Sequence, residues 1–208
     1  YKIITAPDLS INRRRKAIQF KEFPYIKMQS LPNSKKKVDN NINIIEFLRT
    51  DNKKIENAII QYSCHPVADP NDIVGSDYPG YLRKYLKISQ YKNIIFLQGF
   101  CGDIRPKVIK KNNKLKDKFI KLIIGDRFRK IKKGDAEYIG KKLCEAILKH
   151  ESKISFTKLE SSLISETVKL PIPLKNNSYT KKELEITIWI WGEVCFVFIS
   201  AEVLSGYN

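Results

Sequence analysis

Strand, helix and strand follow one another between Ile55 and Leu97, and this succession limits the possible folds more than any other feature of the chain. Ile55 to Ser63 is rich in β-branched residues and has the length of a strand. Cys64-His65-Pro66 stops it, because Pro66 lacks the amide that a central strand needs. A loop carrying Asp69, Asp72, Ser76 and Asp77 leads to Pro79, which suits the first turn of a helix. Leu82, Tyr85 and Leu86 keep helical spacing to about Ser89. Asn93 to Leu97 is a short apolar run of buried-strand length, and it ends in Gln98-Gly99-Phe100-Cys101-Gly102-Asp103. Two strands joined by a helix over about forty residues predict parallel pairing through a crossover. Ligand groups gather at the carboxyl ends of such strands, and His65 and Asp103 each lie just past one.

An antiparallel partner precedes this unit. Ile42 to Leu48 is a second β-branched run, and Thr50-Asp51-Asn52-Lys53 is a turn, so the two arms read as a β-hairpin. Residues 1–37 read as irregular, with Arg13-Arg14-Arg15-Lys16, Pro24, Pro32 and Lys35-Lys36-Lys37. Residues 107–133 are dense in Lys, with apolar islands at Phe119-Ile120 and Leu122-Ile123-Ile124, and read as an exposed basic insertion holding one short helix. Asp135 suits a helix cap, and Ala136, Ile139, Leu143 and Ile147 share a face of a helix that runs to His150. Strands are expected at Ile154 to Leu170, Leu184 to Trp191 and Val194 to Ser200, the last two joined by a Gly192-Glu193 turn and followed by Ala201-Glu202. The expected architecture is an α/β fold of mixed β-sheet layers flanked by helices, with residues 1–208 inside one domain.

Composition removes several classes. At 42% hydrophobic and 11% aromatic, the chain is neither disordered nor collagen-like, and 208 residues suit one domain. Four Cys make no disulfide scaffold. No apolar run of about eighteen residues occurs, so no membrane-spanning helix is expected. The chain begins at Tyr1 with no charged-then-apolar leader, as expected of a mature product or an excised fragment. The net charge of +17 has two explanations. One is a polyanionic partner such as nucleic acid or an anionic membrane surface. The other is AT-rich coding, since Lys, Ile and Asn are abundant together. Lys far outnumbers Arg, whereas nucleic-acid sites favour the Arg fork, so nucleic acid is the less expected partner.

The chain has two His. His150 falls in the last turn of a helix, where a cation suits the dipole. His65, held by Pro66 and followed by an acidic loop, is the candidate for metal binding or catalysis, with a purely structural His as the alternative. There is no His-Glu-x-x-His, phosphate-binding loop or dinucleotide glycine fingerprint. Cys64 and Cys101 lie near strand ends without a CxxC pair, which argues against a closed zinc site. Cys64 and His65 are neighbours on a strand and point to opposite faces, which argues against a Cys nucleophile served by that His.

Several short strings, in order, resemble one family. Asn12-Arg13-Arg14 comes first, and Val38-Asp39 leads into the hairpin that ends in Cys64-His65-Pro66. Ser76-Asp77-Tyr78-Pro79-Gly80 opens the helix, and Phe96-Leu97-Gln98-Gly99-Phe100-Cys101-Gly102-Asp103-Ile104-Arg105-Pro106 follows. Ala201-Glu202 closes the last hairpin. Together these resemble the N-terminal catalytic domain of neutral/alkaline non-lysosomal ceramidases, in particular their bacterial relatives, over nearly the whole chain.

The resemblance implies a zinc amidohydrolase that cleaves the amide of ceramide, or a related lipid-like substrate, to an amine and a fatty acid. His65 would match one zinc His and Glu202 the zinc Glu, with Ala201 in place of the family's Gly. Arg13 would match an Arg near the substrate, and Asp77 and Asp103 acidic positions that line or brace the site. The implied set is Arg13 and Asp103 as catalytic groups, Asp77 and Gln98 as substrate-binding groups, and His65 and Glu202 as zinc ligands. An amphipathic lipid amide and an anionic membrane surface are the implied partners, and a secreted, periplasmic or membrane-associated location is implied as well.

The chain departs from the family at three places. The family's paired-His string has no counterpart before Asn12, no Tyr stands at the family's spacing after Glu202, and Arg105 replaces a Ser. The first two departures fit an internal part of a longer catalytic domain. Simpler roles stand beside the implied ones: Asp103 and Asp77 as turn or helix caps, Arg13 as a solvated cation, and Glu202 as a strand's exit into water. The alternative function is a basic binding module that docks anionic lipid or nucleic acid through residues 107–133 and Arg13 to Lys16. Convergence of His65, Asp103 and Glu202 on one site favours the enzyme, and a continuous cationic stripe favours the binder.

Overall fold

A computed structural model describes residues 1–19, 25–49, 51–52, 54–70, 74–89, 91–111, 113–150, 157–159, 162–172 and 182–207. In chain order its main elements are β1 (Lys2–Thr5), β2 (Ser10–Gln19), β3 (Tyr25–Asn33), β4 (Asn41–Leu48), β5 (Ile55–Tyr62), α1 (Asp77–Ser89), β6 (Asn93–Gln98), β7 (Ile104–Pro106), α2 (Leu115–Ile124), α3 (Asp135–His150), β8 (Leu163–Ile172), β9 (Lys182–Trp191) and β10 (Val194–Ile199). The fold is mixed α/β, with sheets ordered β1-β4-β5-β6, β3-β2-β7 and β10-β9-β8.

The central sheet carries the predicted unit. β4 and β5 form the antiparallel hairpin, from Ile42 opposite Tyr62 to Leu48 opposite Ile55. β5 and β6 pair in parallel, from Asn57 with Asn93 to Tyr62 with Gln98, and α1 makes the crossover between them. Strand alternation turns Ile42, Ile44, Ile60 and Tyr62 to one face. There they join Tyr78, Leu82 and Leu86 of α1 and Ile139, Leu143 and Ile147 of α3 in one buried cluster. Removing each such side chain from water contributes about 1.5–3 kcal/mol. The two helices meet at Gly140, where an added Cβ would stand 2.6 Å from Tyr81 Cβ and 2.7 Å from the Leu82 amide nitrogen. Glycine is what allows that approach.

Residues 1–37 are not irregular as their charge suggested: β1, β2 and β3 occupy most of the segment. Lys2 lies buried in β1, with Nζ 3.0 Å from Glu46. β2 and β3 pair antiparallel as a ribbon on which Arg14 and Lys16 are exposed, so their charge costs the strand little. β3 has β2 as its one partner in this sheet, and an edge strand tolerates Pro32. β7, also unforeseen, pairs with the start of β2.

The basic insertion at 107–133 is exposed, and α2 buries none of its residues. Its base is tied down by an Ile109–Phe128 bridge, by Lys110 N–H donating to Arg127 O at 2.9 Å and by Arg129 N–H donating to Val108 O at 3.0 Å. α3 runs as expected, with Ala136, Ile139, Leu143 and Ile147 buried. β9, the Gly192-Glu193 turn and β10 also follow the expectation, whereas β8 begins at Leu163. Residues 154–156 of the strand expected from Ile154 lie outside the described residues, as do Pro24, Thr50, Lys53 and Asp72. Among the described residues no helix is long and apolar enough to cross a membrane.

Candidate active site

His65 reaches its place through the end of β5. Its N–H donates to Ile104 O at 3.4 Å, and its own carbonyl accepts from Val67 N–H at 2.9 Å. Its neighbour Cys64 points inward, 1% exposed, and Tyr78 OH donates to the Cys64 carbonyl at 2.5 Å. β5 ends at Tyr62 and Ser63 is buried as well as Cys64, so it is the loop after the strand, not strand alternation, that turns the imidazole out of the core.

The loop behind His65 is braced by Asp77. This residue adopts φ 46°, and its carboxylate accepts the backbone N–H groups of Ala68, Asp69 and Tyr78 at 2.8, 2.6 and 2.6 Å. Asp77 thus holds the His65 loop against the start of α1, and its carboxylate is already engaged. Among the described residues its contacts are those of a brace.

Glu202 arrives from the far end of β10. Gly102 N–H donates to Val203 O at 2.9 Å, which holds the segment after Glu202 against the turn that follows β6. A Cβ at Gly102 would lie 3.0 Å from that oxygen and 3.3 Å from Glu202 Cγ. Asp103 adds a second tie: Oδ1 accepts from Ser205 N–H at 2.8 Å and Oδ2 from Asn12 Nδ2 at 2.6 Å. Burial pushes the Asp103 pKa up, but the hydrogen bonds from Ser205 and Asn12 outweigh it, and the net shift is downward. Asp103 is therefore a carboxylate that knots β2, the turn after β6 and the C-terminal segment.

With these ties in place, Glu202 Oε1 meets His65 Nε2 directly. On the other ring nitrogen, His65 Nδ1 lies 3.4 Å from Cys101 Sγ and 3.5 Å from Gln98 Nε2, and Gln98 Nε2 donates to Cys101 Sγ at 2.8 Å. Arg13 sits alongside, its guanidinium donating to Gly102 O at 2.9 Å and its backbone N–H to Asp103 O at 2.7 Å. His65 titrates below its ordinary value. Burial lowers it most, Glu202 pulls it upward and Arg13 lowers it again, and the net result is a neutral imidazole at pH 7. Burial pushes the Cys101 thiol up to about 11, so it is no thiolate nucleophile at neutral pH.

Neutral imidazole and carboxylate are the donor types that zinc takes. His65 Nε2 and Glu202 Oε1 are in direct contact, closer than two ligand atoms stand around a tetrahedral zinc, so they would have to part to take one. Among the described residues no group of three or more His, Cys, Asp or Glu is placed to hold a metal. Cys101 faces the wrong ring nitrogen to join the pair. The residues present therefore match two positions of a zinc site in donor type and not in spacing.

Beside the pair runs an apolar cleft of about 490 Å³ between the central sheet and β10, lined in part by Ile45, Ile59, Leu97, Phe196 and Phe198. A smaller pocket of about 200 Å³, lined in part by Gln98, Cys101, Phe198 and Glu202, lies next to it and shares Gln98 and Phe198 with it. Of the residues expected at the site, His65, Glu202, Gln98 and Arg13 cluster, Asp103 braces them, and Asp77 acts one layer back.

Sequence reasoning missed two of the working contacts. Cys101 against His65 follows from register: each lies three residues beyond the paired Tyr62 and Gln98. Asn12, fully buried, could have been singled out only by asking what a buried amide pairs with. No family model and no curated protein matches this chain.

Proposed function

We propose that the chain is an internal part of a zinc-dependent, ceramidase-like amidohydrolase that cleaves the amide of a lipid-like substrate to an amine and a fatty acid. The observation that carries this reading is the meeting of His65 Nε2 and Glu202 Oε1, brought from distant parts of the sequence, with Glu202 lining a pocket that adjoins an apolar cleft. Held by His65 and Glu202, zinc would supply Lewis-acid polarisation of the amide carbonyl and a water of lowered pKa. The chain's own groups do the rest. Gln98 and Cys101 fix the His65 ring from its Nδ1 side. Arg13 would stand near the substrate, its guanidinium held by the Gly102 carbonyl. Asp103 acts through its neighbours as a positioning residue, keeping Glu202 and Arg13 on one rim. The cleft takes the apolar body of the substrate and keeps water from it.

Two ligands leave a metal largely solvated, so the chain alone should bind zinc weakly and hydrolyse no amide. Zinc competition with a chromogenic chelator tests the reading. His65→Ala and Glu202→Gln should each weaken binding at least tenfold, and His65→Ala should abolish hydrolysis of an N-acyl amide by the longer protein. Zinc affinity untouched by both substitutions would sink the assignment.

One observation favours the second reading, a basic module for an anionic membrane surface. α2 exposes Leu115, Phe119, Leu122 and Ile123 among its lysines, a pattern suited to a lipid interface. Sedimentation with vesicles of anionic and of zwitterionic lipid separates the two. Binding to the anionic vesicles that Phe119→Ser removes, with no zinc effect at His65, would favour the module.

A further inference from the structure

Two guanidinium groups stand at this site, and among the described residues no carboxylate pairs with either. The Arg13 side chain has one hydrogen bond, to the Gly102 carbonyl. Arg105 has none: its Nε is buried and meets no acceptor among the described residues. Its guanidinium is held instead by the Phe128 ring, with Cζ 4.4 Å from the ring centroid. The register sets both on one face. Ile11 pairs with Arg105, and alternation along β2 returns Arg13 to the side of Ile11. The carbonyl of Ile104, just before Arg105, accepts the His65 N–H. The register makes Arg13 and Arg105 diagonal neighbours across β2 and β7, and burial and the Arg13 charge both lower the Arg105 pKa accordingly. Such a pair is costly when empty and gains from a bound anion, for which the planar Arg fork is the matching donor.

We propose that Arg13 and Arg105 form an oxyanion-binding subsite beside His65 and Glu202, which receives a carboxylate or phosphate group of the molecule that occupies the cleft. The subsite rests on the amidohydrolase reading only in making that molecule the amide substrate, which would then carry an anionic group. Phe128, from the basic insertion, holds Arg105, so the insertion shapes the subsite.

The arginine Nε–Hε region of the proton–nitrogen correlation spectrum tests this directly. Acetate and inorganic phosphate are titrated separately at constant ionic strength. The expected result is a saturable shift of two arginine Nε resonances by at least one of the anions, and the tighter anion identifies the group as carboxylate or phosphate. Arg105→Gln should weaken that binding at least tenfold, while Lys116→Gln on exposed α2 should leave it unchanged. Shifts that stay linear with both anions, or affinity unaltered in Arg105→Gln, would overturn the proposal. The wild-type titration decides the matter even if the variant fails to fold. Zinc plays no part in it, so loss of the zinc site and loss of the anion subsite are read separately.

Discussion

The two faces of the central sheet are built to different standards. On one, α1 and α3 close over Ile42, Ile44, Ile60 and Tyr62, and Leu82, Leu86, Leu143 and Ile147 are all fully buried. On the other, β10 stands across a cleft of about 490 Å³, and the β10-β9-β8 sheet leaves Leu163, Ile164, Trp189, Ile190 and Val197 exposed. The helical face can hold the fold with nothing bound. The cleft face keeps apolar surface in water at a cost in free energy, and Glu202 lines the smaller pocket next to that cleft. The packed core and the open cleft thus lie on opposite sides of the same four strands.

The widest difference should appear on truncating one side chain per face. Leu82→Ala removes a fully buried group and should cost about 2–5 kcal/mol in denaturant unfolding. Phe198→Ala, on the half-buried cleft side, should cost about 1 kcal/mol. Equal losses would break the comparison.

A smaller effect is expected at the knot between the faces. Asn12→Ala strips Asp103 of a hydrogen bond and should cost about 1–3 kcal/mol. The folded-state pKa of Asp103 is depressed, so its contribution is present above the unfolded value of 3.8 and is lost as pH falls through the folded one. Asn12→Ala raises the folded value, so acid unfolding should begin at a higher pH than in the parent.

The smallest effect is a titration. The His65 ring proton should titrate by NMR with a midpoint below 6.5, and Glu202→Gln should lower it further, because Glu202 pulls the value upward. With the folded value below the unfolded one, His65 withdraws stability as pH falls through 6.5 and levels off below the folded value. A midpoint above 6.5 would place His65 in an ion pair and remove the neutral ligand from the site.

The helical face could be read from the sequence because its signal is local. Leu82 and Leu86 repeat at helical spacing, and Ile139, Leu143 and Ile147 do the same, so period alone names the buried stripe. β2 could not be read that way. Its run Arg13 to Lys16 satisfies its backbone through β3 and β7 while Arg14 and Lys16 keep their charges in water and Arg13 and Arg15 donate to backbone carbonyls, and hydropathy carries no trace of that pairing. His65 was visible because Pro66 ends a strand beside it. Glu202 was visible only through a family resemblance, since an acid after an apolar strand is ordinarily an exit to solvent. The contact of Cys101 with His65 depends on the in-register pairing of β5 with β6, a property of two strands together that neither sequence carries alone.

The Asp103 knot also sets an order of events during synthesis. Asn12, His65 and Asp103 leave the ribosome early, and the segments bearing them can pair once β7 is made. Glu202 and Ser205 come about a hundred residues later, beyond α2, α3 and β8 to β10. A nascent chain therefore carries His65 and both arginines through about a hundred further residues before the carboxylate that completes the pair exists. Closure of such a distant contact is slow, and the site matures after the parallel pairing of β5 with β6.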